Sequence, residues 1–77
     1  MAEEQKNFEF TIRDGEDFIE LIALLKYLGI APTGGQAKLM VENSQVMVDG
    51  IVELRKRRKV RSGMTVTTVD GYSIKVS

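Results

Sequence analysis

The sequence predicts an α+β domain in which two antiparallel helices pack on a small, mostly antiparallel sheet. Three observations carry that expectation. Apolar residues recur at helical spacing in two stretches between Phe18 and Ser44, which Gly29 and Pro32 separate. Strand-type residues alternate with polar ones on both sides of those stretches. Asp-Gly pairs at 49–50 and 70–71 stand where hairpins would reverse. At 77 residues the chain has room for one thin core, because a domain this small buries only roughly 60% of its unfolded surface.

Residues 1–7 are polar and are expected as a flexible tail, leaving 8–77 as a single domain. Phe8, Phe10 and Ile12 alternate with Glu9, Thr11 and Arg13, the period of a half-buried strand. Asp14 is the expected N-cap of a first helix, with Glu16 and Asp17 at the positive end of its dipole. The apolar stripe of that helix is Phe18, Leu21, Ile22, Leu25 and Leu28, and Gly29 ends it. Thr33 and Gln36 have capping-box spacing for a second helix, with Ala37, Met40, Val41 and Ser44 inward and a fade near Asn43.

Strands follow. Val46 and Val48 lead to the Asp49-Gly50 turn, and residues 51–54 return. After the basic stretch and Ser62-Gly63, residues 64–68 and 72–76 form a last hairpin. A three-residue loop, Val69-Asp70-Gly71, pairs Val66 with Ile74 and Met64 with Val76, so the large side chains share one face. A two-residue loop would turn Val66 away from Ile74, so the longer loop is predicted.

Composition demotes catalysis. The chain has no histidine and no cysteine, so the usual proton shuttle, thiol nucleophile and soft metal ligands are missing. Asp49 and Asp70 each precede a glycine and are explained by turns, and nothing in the spacing of Asp49, Glu53 and Asp70 requires a magnesium ion. No cofactor or metal is expected. No apolar run reaches the roughly 20 residues of a membrane span, and the acidic start is unlike a secretory signal. A cytoplasmic monomer is the expectation.

The formal net charge is zero, but its distribution is uneven. Residues 1–20 hold seven acidic and two basic residues, and residues 21–77 hold nine basic and four acidic. Six of the seven residues from Arg55 to Arg61 are cationic. Such a run serves either as a solvated edge that blocks aggregation or as a phosphate-binding surface. It cannot be a buried central strand, because cations would face both sides. Leu54 and Val60 are the expected apolar pins at its ends.

A second cluster is Thr33-Gly34-Gly35-Gln36-Ala37-Lys38, with Lys26 near the same connection. A helix N-terminus offers free amides, and its two glycines permit either close helix packing or close approach of a phosphate or base. Aromatic stacking residues are few: Tyr27 and Tyr72 have polar tips, while Phe8, Phe10 and Phe18 fall on expected core faces. Recognition of RNA shape and backbone fits better than a stacking platform.

These segments resemble the S4-like RNA-binding domain in its small, stand-alone bacterial form. The resemblance rests on residues 21–29, then Thr33 to Lys38, then Val46-Met47-Val48-Asp49-Gly50, and continues through Glu53 and residues 55–60 to Gly63. It implies the alpha-L arrangement of two antiparallel helices on a small sheet, with RNA bound across the helix turn and the adjacent basic segment. Carried over, the helix-turn contacts are Lys26, Thr33, Gly34, Gly35, Gln36 and Lys38, and the basic contacts are Arg55, Lys56, Arg58 and Lys59. Arg57 joins them, at a position where relatives often carry a small residue. Two arginines of the broad S4 pattern are matched here by Glu20 and Gly34, which shifts the expected footprint toward the sheet side. The resulting expectation is a non-catalytic module for structured RNA, ribosomal or transfer RNA among the candidates. The alternative is a protein-interaction module that docks an acidic partner on the same basic face.

Overall fold

The computed structural model describes residues 6–77. Strand β1 (Lys6–Phe10) is followed by a short β2 (Ile19–Glu20), helices α1 (Leu21–Tyr27) and α2 (Gly34–Glu42), and strands β3 (Val46–Val48), β4 (Ile51–Val52), β5 (Lys59–Val60), β6 (Thr65–Thr68) and β7 (Tyr72–Val76). One five-stranded sheet has the order β1-β7-β6-β3-β4, and β2 and β5 form a separate ribbon. Among the described residues only the β1–β7 pair is parallel. The two-helices-on-a-sheet expectation therefore stands. The first strand takes in Lys6 and Asn7, so these two residues belong to the sheet rather than to a tail; the remainder of the expected tail lies outside the described residues.

The first helix departs most from its prediction. It starts at Leu21, while Asp14-Gly15 form a separate turn and Phe18 precedes β2. The acids at 14, 16 and 17 therefore do not cap it. Its buried face is Leu21, Leu24 and Leu25, so Leu24 belongs to the stripe and the half-buried Ile22 flanks it. The second helix follows its prediction closely: the Thr33 hydroxyl accepts from the Gln36 amide at 3.1 Å, and Asn43 is the C-cap. Ser44 is not part of the inner stripe; it is exposed and left-handed, with φ 61°, where the chain turns toward β3.

Both hairpins form as read. Val48 stands opposite Ile51, with Asp49 (φ 51°) and Gly50 (φ 82°) supplying the two left-handed residues of a type I′ turn. Val66 pairs with Ile74, and the Gly71 amide donates to the Thr68 carbonyl at 3.1 Å. That closes the three-residue loop, with Val66 fully buried and Val69 60% exposed. The core joins the helix residues Leu21, Leu24, Leu25, Ala37 and Val41 to Val46, Val48, Val60, Val66, Ile74 and Val76. Among the described residues no helix is long and apolar enough to cross a membrane.

Candidate nucleic-acid interface

The basic stretch is built around one acid. Glu53 follows β4, and its side chain is only 10% exposed. Its Oε2 accepts from the Arg55 backbone amide and from Arg55 Nε, both at 3.0 Å. Its Oε1 accepts from Arg55 Nη2 at 3.2 Å and from Arg58 Nη1 at 3.0 Å. The side-chain hydrogen bond from Arg55 dominates, outweighs the opposing effect of burial, and holds the Glu53 carboxyl at about 2, against an ordinary 4.5. The same bond raises the pKa of Arg55.

The loop backbone is held as firmly as its side chains. Lys56 and Arg57 form the corner of a turn that the Arg58 amide closes on the Arg55 carbonyl at 3.1 Å. Among the described residues no side chain caps helix α1, and its first amides donate to the loop instead: Leu21 to the Arg58 carbonyl at 2.9 Å and Ile22 to the Lys56 carbonyl at 3.2 Å. Beyond the loop, β5 pairs with β2, placing Val60 opposite Ile19 and Lys59 opposite Glu20. With its carbonyls occupied by the helix, the loop leaves Arg55, Arg57 and Lys59 exposed and Lys56 and Arg58 half-buried.

Arg55, Arg57, Arg58, Lys59 and Arg61, with Met64, line one open groove of about 550 Å³. Lys59 Nζ lies 4.9 Å from the centre of the Phe18 ring and Arg61 Cζ lies 5.7 Å from it, both within cation–π range. Val60 pins the segment as predicted, fully buried; Leu54 does not, being 59% exposed, and Glu53 takes its place. A lone acid two residues before Arg55 and five before Arg58 was the available signal. Arg61, which lies outside the predicted contacts, joins the groove, whereas Lys56, a predicted contact, does not line it. Glu20, one of the seven acidic residues of the N-terminal segment, stands opposite Lys59.

The helix turn stands at the other end of α1, which at seven residues is about 10 Å long. Lys26 lies in the last turn of α1, and Lys26 and Lys38 are both exposed. A Cβ at Gly34 would meet nothing within 4 Å, and one at Gly35 only the Thr33 hydroxyl at 3.8 Å. Close helix packing therefore does not explain either glycine. No group of three Asp, Glu, His or Cys side chains gathers among the described residues. Asp49 instead accepts the Thr65 amide at 2.9 Å.

Residues 10–77 match the S4 domain family. The chain belongs to that family. It is 47% identical over 58 residues to "Putative RNA-binding protein YbcJ" of Escherichia coli (strain K12), a match covering 75% of this chain and 81% of that protein. The same figures relate it to "Uncharacterized protein YbcJ" of Shigella flexneri. The solution structure of YbcJ from E. coli, reported to reveal an alpha-L motif involved in RNA-binding, aligns with a TM-score of 0.69 at 39% identity, covering 99% of this chain and 95% of that one. The S4 match thus takes in both helices, the basic loop and the last hairpin, well beyond the residues 21–63 that carried the resemblance.

Proposed function

We propose that this chain is a non-catalytic RNA-binding module that holds structured RNA by its phosphates and shape. The observation that carries the reading is the frame around Glu53, a buried carboxylate that fixes two arginines and presents a groove of cations. It occurs on an S4 fold, and the relative YbcJ is described as RNA-binding. Arginine has more donors than one carboxylate can accept, so Arg55 and Arg58 keep N–H groups for phosphate oxygens while Glu53 sets their direction. Arg57 and Lys59 act as freer charges, with Lys56 at the loop corner.

The helix turn extends this surface. Open backbone at Gly34 and Gly35, beside the capped start of α2, admits a phosphate closely, and Lys26 and Lys38 flank it. Thr33 and Gln36 hold the turn in shape. The module works as a cytoplasmic monomer in this reading. Purification of the tagged protein from cells, with and without RNase, tests it. Co-purifying RNA that crosslinks to the basic loop is expected, and a complex with an acidic protein that survives RNase would overturn it.

A further inference from the structure

A second groove adjoins the cationic one and differs from it in chemistry. Phe10, Phe18 and Tyr27 line it together with Arg13, Glu16 and Glu20, around about 350 Å³. That volume is near the lower end of small-ligand sites, about 300–1,000 Å³. The Phe18 ring belongs to this groove and also carries Lys59 and Arg61 of the cationic groove on its face. One aromatic ring thus joins the two. Tyr27 is 67% exposed and meets Phe10 edge-on at 5.4 Å, so its ring is held in place while remaining open to a partner.

The charges sort what each groove accepts. The first offers five cations and suits phosphates. The second sets two carboxylates against one guanidinium and repels phosphate, while its rings suit a flat, uncharged group. Glu16 and Glu20 make no side-chain hydrogen bond or ion pair among the described residues, so their acceptors are open. An ionised carboxylate only accepts. Of the four bases, guanine presents two adjacent ring-edge donors, N1–H and N2–H, whereas uracil presents one donor between two acceptors.

We infer that the groove between Phe10, Phe18 and Tyr27 receives one unpaired nucleobase, guanine in preference to uracil, while the neighbouring phosphates lie on the basic groove. This rests on the RNA-binding reading above and adds to it a base-specific subsite. The test uses RNA hairpins of one stem sequence carrying a single bulged G, A, C, U or abasic nucleotide, and the same stem without a bulge. Bulged G should bind about tenfold more tightly than the abasic form, within the range that base–aromatic stacking supplies. Tyr27→Ala should remove that difference while leaving affinity for the unbulged stem unchanged; Tyr27→Phe should keep it. Glu16→Gln with Glu20→Gln should erase the preference for G over U. In NMR spectra, the Tyr27 ring protons should shift upfield with bulged G and not with the abasic RNA. Equal, salt-dependent affinity for all six RNAs would overturn the subsite and leave the basic groove standing. No binding to any of them would overturn both.

Discussion

Replacing Glu53 by glutamine removes the charge at the centre of the basic loop and keeps its size. A carboxyl held at about 2 instead of 4.5 corresponds to about 3 kcal/mol of stability at neutral pH. Arg55 is 70% exposed, so water screens much of its share; about 1–2 kcal/mol is the expected net loss. For a domain of this size that lowers Tm by about 5–15 °C. The folded pKa is depressed, so this stability is complete above the unfolded value near 4.5 and disappears as pH falls toward 2. Wild type and Glu53→Gln should therefore differ most in melts at pH 7 and converge near pH 2. RNA affinity separates geometry from charge. The variant loses one negative charge, which alone would tighten binding, yet it frees Arg55 and Arg58 to wander, and a weakening of about fivefold or more is expected from their reordering cost. Equal melting temperatures at pH 7, or tighter RNA binding by the variant, would refute the frame.

The glycines of the helix turn give an opposite pair of effects. Gly35→Ala meets only the Thr33 hydroxyl at 3.8 Å, so melts should show unchanged or slightly raised stability, by up to about 0.5 kcal/mol, while Gly35→Val weakens RNA binding without unfolding the domain. Leu25→Ala empties a fully buried site and should cost about 2–5 kcal/mol in denaturant unfolding, a large part of the stability of so small a domain. Arg57→Ala and Lys59→Ala, both at exposed positions, should leave Tm nearly unchanged and weaken every RNA alike, because phosphate contacts carry no sequence information.

The parts of the fold that were legible are those with local causes. The Thr33 cap, the Asp49-Gly50 turn and the three-residue loop at Gly71 follow from turn chemistry and strand alternation within a few residues. The start of α1 was not legible, because its cap is not local. Its free amides are satisfied by carbonyls from Arg58 and Lys56, more than 30 positions later in the chain, whereas Asp14, Glu16 and Asp17 offered a plausible local cap that the fold does not use. Leu54 and Glu53 show the same limit. Pattern alone favoured the apolar residue as the pin, and the buried acid wins because two guanidiniums compensate for its desolvation. The basic residues were readable as a run, but the groove they share with Arg61 depends on the chain returning through β5. Phe18, read as a core residue, turns out to carry two of the cations.

The most direct test of RNA binding on the basic groove is the salt dependence of affinity for a structured RNA. The groove carries five cations, and Glu53 offsets one of them, so about four phosphates should be neutralised. The slope of log affinity against log salt should then be near −3.6 on duplex, or about −2.8 on single strands. Removing Arg57 and Lys59 together should reduce that slope by about two. Affinity that does not change with salt, or a slope untouched by losing both residues, would contradict the account.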